Sequence, residues 1–230
     1  MKIVADPEQI RYFKEHRIIQ LDDVVPSSRL NEVNDEIDTI LSKRTGAKKE
    51  VVSQLPPAEV YPYARDLWRD GEVIKKFDCQ NRFADLLSNF FVSQKFILGS
   101  DQLLAPEFSS SMGYEPYYPQ AFLEPKHLED LGSIQGVHSA LIVCLQGESE
   151  RDNTVFPTCP GSVTVVDPNY AVPFGELATN LSQRFLMITF ADPDALYLYH
   201  EGDPNTHYWK SQGYVFGDKL MQKGHPPIRL

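Results

Sequence analysis

Residues 161–190 read GSVTVVDPNYAVPFGELATNLSQRFLMITF, and this stretch decides the fold prediction. It contains two largely apolar runs, Val163–Val166 and Phe185–Phe190, that are typical of buried strands. The loop between them is rich in proline, asparagine and glycine, which favour turns. Arg184 precedes the second run, and the planar guanidinium of arginine matches the two oxygens of a carboxylate. The stretch therefore predicts two core strands and an anion-binding position at the start of the second.

Outside this stretch, the sequence predicts helices first and strands afterwards. Val137–Leu145 alternates between the two faces of a strand, and Phe96–Leu98 and Gln102–Leu104 are shorter strand candidates. Before residue 96, capping residues and apolar residues at helical spacing predict several helices and one short strand. The predicted helices run from Asp6-Pro7 to His16-Arg17 and over 26–46, 58–68 and 81–91, with the strand at Ile18–Leu21 and a polar loop at 45–57. This order favours a mostly antiparallel sheet covered by helices on one side.

Composition limits the classes of protein to which the chain can belong. It has 230 residues, a hydrophobic content of 42% and a net charge of −10. A single domain of this size buries enough surface to fold without a disulfide or a structural metal. The acidic balance disfavours binding to nucleic acid or to an anionic membrane. Three widely spaced cysteines form no metal or redox motif, and no apolar run is long enough for a membrane span or a secretory signal. We therefore expect a soluble cytoplasmic protein.

The order of features in 161–190 resembles the C-terminal end of the double-stranded β-helix in non-haem Fe(II)/2-oxoglutarate-dependent oxygenases. In the phytanoyl-CoA dioxygenase-like branch, a Gly-Asp strand, a metal-binding histidine and an Asn-x-Ser…Arg element follow in that order. Here Gly161 opens the strand, and Asn180, Ser182 and Arg184 supply the last element. The resemblance implies a mainly β protein with α-helices, folded as a double-stranded β-helix (jelly roll) with N-terminal helices packed on its outer face. It also implies one domain over 1–230, with a helical layer at about 1–95 and a β-helix core at about 96–221.

The same resemblance implies an iron site made by two histidines and one carboxylate. The first two ligands form a His-x-Asp or His-x-Glu element, whose residues lie on one side of a strand because they are two positions apart. His127-Leu128-Glu129 is the literal match in this chain, so His127 and Glu129 are the candidate metal ligands. An alternative alignment places the element at 118–122, where Gln120-Ala121-Phe122 offers no ligand.

The third ligand of that site has no obvious counterpart. The distal histidine is expected near Val172 or Pro173, and neither side chain ligates a metal. Asp167, Asn169 or Glu176 is an alternative oxygen donor, although polar loop residues of this kind commonly serve turns. The resemblance therefore implies the fold together with a degenerate metal site.

The cosubstrate position is better preserved than the metal position. In the family, the arginine at this place binds the distal carboxylate of 2-oxoglutarate with help from a nearby hydroxyl, which makes Arg184 and Ser182 the candidate binding residues. The alternative interpretation is an arginine at a strand entry that pairs with one of the chain's 32 acidic residues.

Three functional hypotheses follow from these observations. The first is a non-catalytic descendant of the oxygenase fold that binds a small carboxylate or a protein partner as a regulator. The second is an active oxygenase that uses Fe(II) and 2-oxoglutarate at an unusual metal site built on His127 and Glu129. The third is a metal-responsive regulatory protein in contact with nucleic acid, which the acidic charge disfavours. The missing distal histidine favours the first.

Overall fold

The centre of the molecule is a six-stranded antiparallel sheet. The computed structural model describes residues 4–52, 55, 57–92, 95–104, 124–147, 155–179, 183–203 and 205–228. The strands are β1 (Ile18–Leu21), β2 (Phe96–Leu104), β3 (Ile134–Gln146), β4 (Val163–Val166), β5 (Arg184–Tyr197) and β6 (Pro227–Ile228). Their order across the sheet is β1-β4-β3-β5-β2-β6, and every neighbouring pair is antiparallel.

Within the described ranges, six α-helices precede β2, one of them before β1 and five between β1 and β2. They are α1 (Pro7–His16), α2 (Ser27–Thr45), α3 (Lys49–Val52), α4 (Pro57–Tyr63), α5 (Glu72–Asp78) and α6 (Asn81–Leu87). Short 3-10 helices cover Leu67–Arg69, Leu128–Leu131, Phe174–Thr179, Tyr208–Gln212 and Leu220–Lys223. The described part of the chain is thus a mixed α and β fold, with its helices mostly before its long strands. Within these residues, no helix is both long and apolar enough to cross a membrane.

The first helix and strand form where their capping residues predict. The Asp6 carboxylate accepts hydrogen bonds from the backbone N–H groups of Glu8 and Gln9, both at 2.8 Å, which satisfies two unpaired donors at the start of α1. Arg17 ends the helix in the left-handed conformation, with φ of 65°, and β1 begins at the next residue. The predicted boundaries of α1, β1 and α2 are confirmed.

The two strands of the 161–190 stretch do not pair with each other. β4 and β5 lie on opposite sides of β3, so the loop between them crosses from one side of the central strand to the other. Paired residues of neighbouring strands share a face of the sheet. One face therefore carries Cys144 paired with Phe185, and the other carries Val143 paired with Leu186. Arg184 alternates with Phe185 and faces the side on which α2 lies, because its guanidinium contacts Asp38 of that helix.

Several elements differ from the sequence prediction. The polar loop predicted at 45–57 contains α3, and α5 was not predicted at all. The helix predicted over 58–68 ends at Tyr63, because the chain turns into an isolated bridge between Arg65 and Gln102. The two strands predicted at 96–98 and 102–104 are one strand with a bulge at Gly99, where a Cβ atom would lie 3.0 Å from the Thr189 carbonyl oxygen. A bulge of this kind interrupts the alternation that a sequence pattern relies on.

Candidate functional site

The predicted metal ligands His127 and Glu129 lie on a turn rather than on a strand. His127 is the residue before the 3-10 helix Leu128–Leu131, and its backbone N–H donates to Asp130 Oδ2 at 3.0 Å. Both candidate side chains are exposed. A 3-10 helix has three residues per turn, so side chains two positions apart point in different directions. The turn therefore does not give the pair the shared face that a strand would.

The segment expected to carry the third ligand lies beside this turn. The Val172 N–H donates to the Lys126 carbonyl at 2.8 Å, and the Lys126 N–H donates back to the Val172 carbonyl at 3.0 Å. The chain thus brings the residue before His127 next to the place where the distal histidine is expected. The Val172 side chain itself is completely buried, and it is apolar.

Two of the three alternative oxygen donors, Asp167 and Asn169, serve a turn in this structure. The Asp167 carboxylate accepts from the backbone and side-chain N–H groups of Asn169 at 2.9 and 3.0 Å, and it pairs with Arg17 at 3.3 Å. Residues 118–122 and the Glu176 side chain lie outside the described residues. Within the described ranges, no group of three His, Cys, Asp or Glu side chains is arranged to hold a metal ion.

Apolar rings cover the face of the sheet opposite Arg184. Phe156 lies with its ring centroid 5.3 Å from that of Phe185 and 6.2 Å from that of Phe174. All three are buried, and Leu177 beside Phe174 in the same 3-10 helix is buried as well. Close packing of this kind leaves little room for a charged ligand against these side chains.

Arg184 is buried and held by an ion pair. Only 7% of the residue is exposed, and its Nη2 lies 2.9 Å from Asp38 Oδ1 on α2. The Asp38 side chain is far more accessible, with 43% of its surface exposed. This contact matches the alternative interpretation of Arg184 as a strand-entry arginine paired with an acidic residue. Asn180 and Ser182 lie outside the described residues.

The Arg184–Asp38 pair lies in a groove with a volume of ≈ 650 Å³, between α2 and the ends of β3 and β5. Its lining includes Leu30, Asn34, Asp35 and Leu145 besides the ion pair. Asn34 Nδ2 donates to the Leu145 carbonyl at 3.1 Å, which fixes the amide of this side chain. Asn34 Oδ1 is buried and accepts no hydrogen bond from the residues that the structure describes.

Sequence reasoning missed the α2 contribution to this groove. Asn34 and Asp38 are four positions apart and share one side of the helix. They flank the apolar residues Val33 and Ile37 that predicted the helix, so polar residues beside an apolar stripe were a usable signal. Nothing in the sequence indicated that this side would meet Arg184, 146 positions later.

A second polar cluster is buried around the middle of β2. The Asp101 carboxylate accepts from the backbone N–H groups of Leu67 and Trp68 at 2.7 and 2.8 Å. Burial raises the pKa of Asp101 to about 6. Burial and the neighbouring Asp101 raise the pKa of Asp78 well above its usual range. Because Asp101 receives the two backbone donors, Asp78 is the carboxyl that keeps a proton.

His225 links the C-terminal segment to β2 by hydrogen bonds. Its Nδ1 donates to the Leu98 carbonyl at 2.7 Å, so its Nε2 accepts from the Tyr214 hydroxyl at 2.9 Å or from Arg69 at 3.0 Å. Burial lowers the pKa of His225 to about 4. A neutral histidine enclosed by such partners has a structural role.

Comparison with known proteins shows the fold and leaves the family open. No family model matches the chain, and no curated protein matches it. The chain is similar to the crystal structure of SnoK, a non-heme alpha-ketoglutarate-dependent carbocyclase from nogalamycin biosynthesis, with a TM-score of 0.63 and 11% identity over 97% of this chain and 96% of that one. It is also similar to the epimerase SnoN from nogalamycin biosynthesis, with a TM-score of 0.56 and 13% identity over 95% and 93%. CytC3 with Fe(II) and alpha-ketoglutarate gives a TM-score of 0.51 and 9% identity over 96% and 88%. The chain therefore has a fold like that of 2-oxoglutarate-dependent oxygenases.

Proposed function

We propose that this chain is a non-catalytic protein with a 2-oxoglutarate-oxygenase-like jelly roll, its N-terminal helices on the outer face, that binds a small carboxylate as part of a regulatory role. The observation that carries the proposal is the placement of Arg184. This buried guanidinium lies in a groove of ≈ 650 Å³ that it shares with α2. A small ligand fits a concave site of that size.

The residues present at the expected iron position do not fit the metal. Three ligands are needed, and the turn at His127 and Glu129 offers two exposed side chains without the shared face of a strand. The expected third position carries the buried, apolar Val172. The donor set among the described residues is therefore not that of an iron site, and we derive no reaction from one.

The physical basis for carboxylate binding is exchange on Arg184. The guanidinium is buried, whereas the side chain of Asp38, with which it pairs, is 43% exposed on the surface of α2. A ligand carboxylate can replace Asp38 in a bidentate contact, after which the Asp38 carboxylate is hydrated. The ligand carboxylate takes over the pairing with the buried guanidinium, so no buried charge is left without a counter-charge.

The test is thermal unfolding in the presence of a metal chelator, with succinate and 2-oxoglutarate as probes. A ligand at 100 times its dissociation constant stabilises by about 2.7 kcal/mol, which raises the melting temperature by about 5–10 °C for a domain of this size. We expect this shift in the natural protein and its loss in Arg184→Gln. Arg17→Gln is the matched control, because it removes the same charge from the Arg17–Asp167 ion pair outside the groove.

Two results contradict the proposal. One is the absence of any shift with either carboxylate up to millimolar concentration. The other is an equal shift in Arg184→Gln and in the natural protein, which would place the carboxylate elsewhere. Circular dichroism of the unliganded variants separates lost binding from lost folding.

An active oxygenase is the second candidate, and one contact favours it. The paired backbones of Lys126 and Val172 bring together the two segments on which the resemblance places metal ligands. This candidate requires succinate formation from 2-oxoglutarate that depends on Fe(II) and disappears in His127→Ala. Such turnover would replace the non-catalytic proposal.

A further inference from the structure

One edge of the sheet has backbone groups without partners. β1 is the outermost strand on its side and pairs with β4. The Arg17 carbonyl accepts from the Asp167 N–H at 2.9 Å, so the backbone of Arg17 points towards β4. Because antiparallel pairing alternates, Ile19 also points towards β4, whereas the N–H and C=O groups of Ile18 and Gln20 point away. Among the described residues these four groups have no hydrogen-bond partner, so the edge can pair with one more strand.

Two clefts follow this edge of β1. The first lies between β1 and α1, has a volume of ≈ 550 Å³ and includes Ile19 in its lining. The second has a volume of ≈ 340 Å³ and includes Thr164, which faces the same side as Gln20 because the two residues are paired across β1 and β4. Tyr12, Ile19 and Gln20 line both clefts, so the clefts meet at the edge. A strand added there would place its side chains alternately in the two clefts.

We infer that this edge takes an extended peptide from a partner protein as an added antiparallel strand. The inference goes beyond the proposed function and does not involve Arg184. Two peptide residues that are two positions apart exchange both backbone hydrogen bonds with Ile18 and with Gln20, which satisfies all four groups. The peptide residue between them lies opposite Ile19 and points to the α1 side. In this mode of recognition the backbone bonds give affinity and the two clefts give specificity.

The α1 side selects a cationic side chain for the middle peptide residue. Glu8, Arg11 and Glu15 line this cleft, and together they give it a net negative charge. Tyr12 lines the same cleft with 50% of its surface exposed, so its ring is accessible to a guanidinium or an ammonium group. The net charge of −10 on the whole chain also favours association with a basic segment.

The opposite cleft selects uncharged side chains for the two flanking peptide residues. Its described lining includes Ile18, Val155 and Tyr170 and contains no Asp, Glu, Lys or Arg. A charged side chain placed there would lose hydration without gaining a counter-charge from these residues. The peptide core that fits the edge is therefore apolar, cationic, apolar.

The test is fluorescence anisotropy of the full chain with the labelled peptide Gly-Thr-Val-Arg-Val-Thr-Gly. We expect this peptide to bind, and to lose about tenfold or more in affinity when the amides of both valines are N-methylated, because those N–H groups donate to the carbonyls of Ile18 and Gln20. N-methylation of the arginine amide is the matched control, because that N–H points away from β1, and it should leave the affinity unchanged. Exchange of the peptide arginine for glutamate should weaken binding.

Variants of β1 and α1 test the same contacts from the side of the protein. Gln20→Pro removes an N–H of the edge at a kind of position where proline is tolerated, and it should weaken the peptide about tenfold or more. Gln20→Val keeps that N–H and should bind as the natural protein does. The double variant Glu8→Gln, Glu15→Gln should weaken the arginine peptide, whereas Glu32→Gln on α2, outside both clefts, should not. Circular dichroism checks that each variant is folded.

Three results overturn the inference. One is the absence of peptide binding up to millimolar concentration. Another is an equal effect of valine and arginine N-methylation, which would exclude strand pairing. The third is a dimer in sedimentation that Gln20→Pro dissociates, which would make a second copy of the chain the occupant of the edge. Arg184→Gln should bind the peptide normally, so failure of the carboxylate site and failure of this inference are distinguishable.

Discussion

At the scale of single residues, the proposed function depends on the position of Arg184. The sequence indicated its position at the start of a strand, because the apolar run after it is unambiguous. Its partner Asp38 could not be predicted, since a contact across 146 positions depends on how α2 meets the sheet. Val172 was identified from sequence as the apolar replacement for an expected ligand, and the structure adds that it is fully buried.

His225 should by itself make the free energy of unfolding depend on pH. Burial lowers its pKa from 6.5 to about 4 in the folded protein. Between these values the unfolded chain binds more protons, so the contribution to stability is present above about pH 6.5 and is lost as the pH falls towards 4. The full contribution of neutral His225 to the free energy of unfolding is about 3 kcal/mol.

The measurement is urea unfolding of the natural protein and of His225→Gln between pH 7 and pH 4.5. We expect the natural protein to lose about 2–3 kcal/mol relative to the variant over this range, because glutamine does not titrate. Comparing the two proteins at each pH cancels the contribution of the acidic residues. A constant difference across the range would show that His225 is not held neutral by its surroundings.

At the scale of elements, local signals decided which parts were predictable. α1 and α2 have clear caps or apolar spacing, and β1 and β4 are short apolar runs, so their bounds agree with prediction. α5 was missed because its apolar residues are few, whereas the equally short α6 lies in a stretch where apolar residues at helical spacing continue to Phe91. The loop of the 161–190 stretch suggests two adjacent strands, yet β3 lies between them. Strand order is a long-range property that local patterns do not encode.

A prediction at this scale concerns the junction of β2, α5 and the turn at 67–69. Burial and Asp101 raise the pKa of Asp78, so the folded protein keeps a proton that the unfolded chain releases. The stabilisation that Asp78 contributes in this way is present below about pH 3.8, and it is lost as the pH rises towards the raised pKa of Asp78. Asp78→Asn imitates the protonated acid at every pH.

We therefore expect Asp78→Asn to gain stability relative to the natural protein as the pH rises from 5 to 8, by up to about 1.4 kcal/mol per pH unit. Chemical denaturation at several pH values measures this gain. Asp70→Asn is the control, because Asp70 is a more exposed acid next to the same turn. If both variants follow the natural protein in parallel, Asp78 is not the group that keeps the proton.

At the scale of the whole molecule, the resemblance to a known family predicted more of the fold than composition and periodicity did. Composition and periodicity gave helices before strands and an antiparallel sheet. The similarity to oxygenases in 161–190 gave the fold class, which the SnoK, SnoN and CytC3 structures support at the level of the fold. The groove was not predictable, because it is formed where α2 meets β3 and β5 and has no sequence motif of its own.

The central claim is that a carboxylate binds through Arg184 without a metal, and calorimetric titration of succinate tests it most directly. We predict the same affinity with a chelator and with anaerobic Fe(II), and at least tenfold weaker binding in Arg184→Gln. Arg184→Lys should restore only part of the affinity, because lysine keeps the charge and loses the bidentate geometry. Carboxylate binding that requires Fe(II) and survives in Arg184→Gln would contradict the account.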